Sequence, residues 1–406
     1  MIYQELKERF DYRTALVTLA LVGIGLVSIY SATYDAKAAD IFHKQIVWSI
    51  VGLGVLGAVA AVPFRLLQLV SYPVYFLSLL LLVAVLLLGR TVSGSESWFS
   101  VGQMRLQPSE FSKIATVLAL ATYLARSDVS LRKVKHLLVA SGIVLLPVAL
   151  IMMQPDTGTA LIFFGMFFPV LFWGGASRFT LVAIVAPVGT AVAALFGTTA
   201  FLTAVLVFGV LIYLTRENRI AAAAVFSLTV LVGVSTQFIY EGLKHYQQKR
   251  IATFLDPNAD PLGAGYNILQ SKVAIGSGGF FGKGYLHGSQ TQLNFIPEQW
   301  TDFIFCVPGE EFGFLGAAIV LLLLMALLIR GVTIASAAKS RYGGFVAVGL
   351  TAIFATHICL NIGMSIGLLP VIGVPLPFLS YGGSALLSAM TMVGILMNLH
   401  ANRKEY

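Results

Sequence analysis

Apolar residues fall along this chain in runs of roughly 17–25, separated by short polar connectors. A helix of about that length crosses a hydrocarbon core roughly 30 Å thick. Helices satisfy their own backbone hydrogen bonds, which makes them the natural element in lipid. A β-barrel would instead alternate apolar and polar residues in segments of about ten, and these runs do not. They predict twelve spans, at about 14–33, 45–63, 71–89, 108–125, 138–153, 158–175, 179–197, 199–215, 219–240, 303–329, 343–368 and 380–400. The segments between 179 and 240 are closely spaced, so two of them are candidates for short or re-entrant elements. The expected fold class is all-α: a polytopic membrane protein of about ten to twelve transmembrane helices, one integral domain over residues 1–406. Residues 179–215 are expected to form an inserted helical hairpin.

Two polar stretches interrupt the pattern. Residues 90–107 end in Gln107-Pro108-Ser109-Glu110, and residues 241–302 are far longer than a connector needs to be. Long loops within compact domains are usually functional or disordered. The second is rich in glycine and aromatics rather than repeats, which favours function.

Composition supports the membrane reading. Charged residues make up 11% of the chain and hydrophobic ones 58%, where soluble domains carry about 25% charged residues. The net charge of +8 raises nucleic acid as a partner, but the cations lie in short connectors instead of on one basic face. With the N-terminus inside, cytoplasmic connectors hold Lys7, Arg9, Arg13, Arg65, Arg126, Arg132, Lys133, Lys135, Arg178, Arg216, Arg219, Arg330, Lys339, Arg341, Arg403 and Lys404. Short outer connectors hold only Lys37, Lys44, Arg90 and Arg105. This is the positive-inside bias. It places both termini in the cytoplasm and 241–302 outside. Arg13, the apolar stretch Ala15 to Tyr30 and Ala36-Lys37-Ala38 imitate a cleaved signal peptide, but a retained first span is simpler. Cys306 and Cys359, the only cysteines, lie in apolar segments; neither a disulfide framework nor a cysteine zinc site is expected.

The candidate chemistry gathers in the outer segments. Asp256-Pro257 and Asp260-Pro261 make rigid turns, and capping aspartates would explain them. Yet Lys244, Lys249, Arg250, Lys272 and Lys283 share the loop with Asp256, Asp260, Glu298 and Asp302. Carboxylates among cations beside a membrane suit a phosphate-bearing substrate, held directly or through a divalent metal, Mg or Mn. The run Gly276 to Gly284 tempts toward a nucleotide loop. It fails because Ser277 replaces the first required glycine and Gly284 the Ser or Thr after Lys283; a tight, close-packed turn is expected. His287 has no partner at metal-ligand spacing. Glu110 and Lys113, three apart, share a helix face and can pair. Asp156 can cap the following helix. Pro370 to Ser384 places prolines and glycines at the outer mouth of the last span, and such broken backbone is tolerated where it is buried in protein or lines a cavity.

Several of these motifs occur together. Gln107-Pro108-Ser109-Glu110 with Lys113, Gln154-Pro155-Asp156 with Gly158-Thr159, Asp260-Pro261 with Gly263 and Gly265-Tyr266, Pro297-Glu298 with Thr301-Asp302-Phe303, and Pro375-Leu376-Pro377-Phe378-Leu379-Ser380-Tyr381-Gly382-Gly383-Ser384 stand in that order. In this the chain resembles the SEDS family (shape, elongation, division, sporulation) over nearly its whole length. Gly282-Lys283-Gly284-Tyr285-Leu286-His287-Gly288 is more like its RodA branch than its FtsW branch. The chain departs from the family at Ser97, where arginine is common, at Trp300, where histidine is usual, and at Pro308. Its span count also exceeds the usual ten, the surplus falling around 179–240.

The resemblance implies a peptidoglycan glycosyltransferase of the bacterial cytoplasmic membrane that serves elongation and cell shape. It would join lipid II to the growing glycan strand with inversion and release undecaprenyl diphosphate. A class B penicillin-binding protein would be its partner, with no role for nucleic acid. Asp260 is the expected base. Lys113, Lys249, Arg250, Lys272 and Lys283 are candidates for the diphosphate, and Glu110, Asp156, His287 and Ser380 for substrate binding or support. A lipid II flippase or transporter and a non-catalytic scaffold are the rival readings.

Overall fold

In the computed structural model every expected span but the tenth corresponds to a single helix. The structure describes residues 10–34, 38–92, 95–101, 104–242, 248 and 265–403. Among these, ten helices are long and apolar enough to cross a membrane. They are α1 (Tyr12–Tyr34), α2 (Ala39–Ala60), α4 (Ser71–Leu88), α6 (Val134–Met153), α8 (Arg178–Leu195), α9 (Thr198–Thr215), α10 (Arg219–Gly242), α14 (Gly313–Ala337), α15 (Arg341–Ser365) and α16 (Gly383–Ala401). The two remaining expected spans are α5 (Pro108–Leu124) and α7 (Thr157–Trp173), of 17 residues each. Shorter helices are α3 (Phe64–Leu69), α11 (Tyr266–Ser277), α12 (Ser289–Gln292) and α13 (Cys306–Glu311).

Two expectations change. The tenth span does not run over 303–329: α13 stops at Glu311, and α14 starts at Gly313 and continues to Ala337. The break has a steric cause. Gly313 has φ +64°, and a Cβ there would lie 2.4 Å from the Gly282 nitrogen, so the glycine-rich turn packs directly into the gap. The polar stretch 90–107 is not a bare loop either. It holds a three-stranded antiparallel ribbon, β1 (Arg90–Val92), β2 (Ser95–Val101) and β3 (Met104–Leu106), in that order.

The chain divides into two units. The first comprises residues 1–130, 135–170 and 267–406. Its centre is α5, α15 and α16, whose residues are mostly buried. Lipid tails give no hydrophobic drive for helices to associate, so close packing at small residues does the work. A Cβ on Gly349 of α15 would lie 2.6 Å from Val117 of α5, and one on Gly394 of α16 would lie 2.8 Å from the Leu56 carbonyl of α2. Asn398 donates to the Ala60 carbonyl at 3.0 Å, satisfying the frayed end of α2. Both cysteines are free thiols.

The second unit comprises residues 131–134 and 171–266. Its helices α8, α9 and α10 are 18, 18 and 24 residues long. Each is long enough to span, so none needs to be re-entrant. Phe208 of α9 packs over Gly189 of α8, and Phe226 of α10 over Gly209 of α9. Thr190 of α8 donates to the Thr229 carbonyl of α10 at 3.1 Å.

Candidate functional site

Three polar groups are built into the first unit. The deepest joins α5 to α15. Lys113 is fully buried, with Nζ 2.9 Å from Glu110 Oε1 and 2.8 Å from His357 Nε2. The other ring nitrogen, Nδ1, lies 3.0 Å from the Pro375 carbonyl. A carbonyl can only accept, so Nδ1 carries the proton and the bare Nε2 accepts from the ammonium. The three side chains thus form one chain of donors and acceptors that fixes both the tautomer and the helix register.

The Pro375 carbonyl belongs to the second group, the non-helical segment 366–382 between α15 and α16. Pro370, Pro375 and Pro377 remove backbone donors and forbid helix there. Val374, Leu376, Phe378 and Leu379 are buried, so the backbone polar groups need partners. Side chains supply them. Asn361 donates to the carbonyls of Asp302 and Val374 at 2.8 and 2.7 Å. Ser380 Oγ donates to the Thr301 carbonyl at 2.6 Å and accepts from Leu376 N–H at 2.8 Å. The Tyr381 N–H donates to the Trp300 carbonyl at 2.8 Å. The segment is therefore stitched to residues 300–302, and the Asp302 carboxylate lies beside Gly373.

Asp156 starts the helix that packs against the same segment. It caps α7 as expected, accepting from the Thr159 N–H and hydroxyl at 3.0 and 2.8 Å, and it accepts from Gln107 at 3.1 Å. Ser384, at the start of α16, accepts from the Gln107 N–H. Next to the cap, Gly158 sits against Ile372 and Val374.

The third group surrounds Glu310 on α13, which lies before the α14 span. Its carboxylate accepts from Lys283 at 2.8 Å, from the Gln290 and Thr291 N–H groups at 2.9 Å each, and from the Thr291 hydroxyl at 2.8 Å. Burial opposes its ionisation, but the Lys283 ammonium and these donors prevail and hold its pKa below the usual carboxylate range. Adjacent Glu311 is shifted the other way. Burial raises it, outweighing its hydrogen bonds from Ser31 and Gln292, with the Glu310 charge adding to the shift. The glycine-rich turn holds this group together. A Cβ on Gly278 would lie 2.1 Å from the Gly309 carbonyl, and Gly282 has φ +85°. The close-packed turn read from the sequence is what the structure contains.

The expected site residues therefore separate. Ser380 lies in the 366–382 segment, the Glu110–Lys113 pair is linked to it through His357, and Asp156 caps the helix whose Gly158 packs against Ile372 and Val374. Lys283 belongs to the Glu310 group, so its ammonium already has a carboxylate partner. His287 is exposed, its Nδ1 donating to the Tyr285 carbonyl at 2.7 Å. Lys272 is exposed on α11 and lies over Gly367. Asp256, Asp260, Lys249 and Arg250 lie outside the described residues. His357 and Asn361 escaped the sequence reading, which treated 343–368 as a plain span. The available signal was two strongly polar side chains inside an apolar run, which in a membrane mark function or structure by default. Among the described residues, no three His, Cys, Asp or Glu side chains are placed to hold a metal ion. An all-protein Mg or Mn cage does not fit there.

The segment's position also depends on α1. A Cβ on Gly25 would lie 2.3 Å from the Phe378 carbonyl and 2.9 Å from Leu379 Cα. Both are backbone atoms, which cannot rotate away. Gly25→Val is expected to displace residues 376–380 and lower activity at least tenfold, the scale of loss when reacting groups shift by about an ångström. Membrane insertion should persist. The check is activity beside expression level, and native activity in the variant would show that the segment's position is not needed.

Residues 12–201 and 194–405 match the model of the FtsW/RodA/SpoVE family, described as cell cycle protein. The chain is 36% identical to the peptidoglycan glycosyltransferase RodA of Treponema pallidum (strain Nichols), covering 97% of this chain and 98% of that one. It is 37% identical to the peptidoglycan glycosyltransferase MrdB of Escherichia coli (strain K12), covering 98% and 95%. Among solved structures it is similar to a chain of a peptidoglycan synthase complex that coordinates polymerization and crosslinking, with a TM-score of 0.75, 27% identity and coverage of 98% and 99%. The rod shape determining protein RodA of Thermus thermophilus has a TM-score of 0.65 and 26% identity, with 98% of each chain covered.

Proposed function

The chain belongs to the FtsW/RodA/SpoVE family, and on that footing we propose that it polymerises lipid II into glycan strands for cell elongation. It is a multi-pass membrane peptidoglycan glycosyltransferase. The observation that carries this is identity of 36–37% to named peptidoglycan glycosyltransferases over nearly the whole of both chains.

In the proposed reaction a hydroxyl of one sugar attacks the anomeric carbon of another. The new glycosidic bond forms as the bond to the diphosphate breaks, with inversion, and undecaprenyl diphosphate departs. A hydroxyl is a weak nucleophile, so a carboxylate must accept its proton; we assign this to Asp260. The departing diphosphate gathers negative charge that cations stabilise. Lys249, Arg250 and exposed Lys272 are the candidates. Lys113 is different, because it is buried and already bound to Glu110 and His357. We place it, with Glu110, Asp156 and Ser380, among the groups that hold the 366–382 segment in position. A divalent metal would have to arrive on the diphosphate with one or two carboxylates, and no step is derived through it. The test of the function is glycan formation from pure lipid II by the purified protein in vesicles, with lipid flipping followed separately. No polymer alongside robust flipping would overturn it.

Cross-linking of the product would fall to a class B penicillin-binding protein. The similar synthase complex supports this by coordinating polymerization with crosslinking. Both termini and the 126–137 connector are assigned to the cytoplasm, and 241–302 to the outside. Single cysteines introduced at positions 128 and 283, after Cys306 and Cys359 are replaced, should react from opposite sides. Labelling of position 283 from the cytoplasm alone would reverse the assignment.

Residues 179–215 are assigned a role peripheral to the chemistry, because α8 and α9 carry almost no charge and their apolar residues suit lipid or helix contact rather than sugar binding. Removing both helices preserves the direction of the chain, so a deletion of 178–215 should insert correctly and keep part of its polymerising activity. Complete loss in a correctly inserted deletion would put the hairpin in the site.

A further inference from the structure

The second unit contains a groove lined by none of the residues assigned to the reaction. In that unit α8 packs along both α9 and α10, whereas α9 and α10 touch each other sparingly. Between α9 and α10 this leaves a groove of about 700 Å³. Leu202, Leu206, Gly209, Val210 and Phe226 are among its walls, and Leu202, Leu206 and Val210 are exposed. Its lining is apolar except at one end, where Arg216 and Arg219 close it. That end is the turn joining α9 to α10, so both arginines stand where two spanning helices leave the hydrocarbon. Arg216 is half-buried, its guanidinium 3.7 Å from the centre of the Tyr213 ring. Stacking orients the planar group and leaves its edge N–H donors to point away from the ring. Arg219 has no ion-pair partner among the described residues. Glu217, the one acidic residue of the turn, is exposed and is not part of the wall.

We propose that this groove binds one anionic phospholipid. Its acyl chain lies along α9 and α10, and its phosphate sits on Arg216 and Arg219. Charge complementarity selects the occupant. An apolar trough ending in two guanidinium groups at the depth of a lipid headgroup matches a molecule that is apolar along its length and anionic at one end. Positive-inside topology would equally place arginines in this turn, but it asks for no groove and no lipid preference. The inference stands apart from the reaction assigned above and survives if that reading fails.

The test uses the purified full-length protein in vesicles of equal phosphatidylglycerol and phosphatidylcholine, followed by native mass spectrometry of the retained lipid. The native protein should retain phosphatidylglycerol over phosphatidylcholine by about thirtyfold, the preference two arginines at a membrane surface confer. Arg216→Gln/Arg219→Gln should bring that ratio close to parity while the protein stays folded. Arg216→Lys/Arg219→Lys should keep most of it. Ala223→Phe, which fills the groove, should reduce retention of both lipids. Equal retention by the native protein would overturn the proposal, as would an unchanged preference in the double Gln variant. Displacement of the lipid by free glycerol phosphate would also overturn it, because the site would then recognise a phosphate and not a lipid.

Discussion

Asp260→Asn lowers glycan polymerisation from lipid II by roughly a hundredfold or more, the range that general-base catalysis contributes. Asparagine keeps the shape of the side chain but cannot accept a proton as a carboxylate does. The substitution therefore separates charge from packing. Asp260 is assigned to the outer loop 241–302 and not to a span, so insertion, thermal stability and partner binding should stay close to native. Glycan length on gels, from defined vesicles with and without the cross-linking partner, gives the measurement. If the aspartate held a metal instead of taking a proton, added Mg or Mn would partly restore the variant. Native polymerisation by a well-folded Asp260→Asn protein would remove it as the base.

Lys113→Met destabilises the protein by about 3–5 kcal/mol, the cost of breaking a buried ion pair from one side. Lys113 is completely buried, and Glu110 is 4% exposed. Methionine fills similar space but leaves the Glu110 carboxylate without a cation and His357 Nε2 without its donor. The double variant Glu110→Gln/Lys113→Met removes both charges and should recover much of the loss, because replacing a buried pair as a whole is often neutral. Thermal unfolding of the native protein, both single variants and the double variant gives the coupling between the two positions. A Lys113→Met protein as stable as native would sink the structural role. If it were also unable to polymerise, the lysine would have to touch the substrate directly.

The two experiments test opposite kinds of residue, and the sequence treats them unequally. Glu110 and Lys113 are three apart on one helix, so their pairing follows from helix geometry alone. The Asp156 cap is equally local, since it needs only a carboxylate before a helix start and an N–H three residues on. The tight turn at 276–284 announces itself by its glycines. The spans are legible for a related reason. Bilayer thickness and the need to satisfy each backbone group within its own segment act on every run separately, so length and apolarity suffice.

What only the tertiary structure decided lies in contacts between distant parts of the chain. His357 is 244 residues from Lys113, and neither position indicates the other. Ser380 meets the Thr301 carbonyl across 79 residues, and no motif spacing encodes that tether. The tenth span was misplaced because the apolar residues on either side of Pro308-Gly309-Glu310-Glu311 read as one run, while the interruption at residues 312–313 comes from another segment's glycines packing against it. The groove in the second unit depends on how three helices share their surfaces. Hydropathy reports how far each residue prefers lipid to water, and that preference sets which segments enter the membrane. It carries no information about which buried donor will face which acceptor. That choice is made when helices pack and each buried polar group must find a partner or remain unsatisfied.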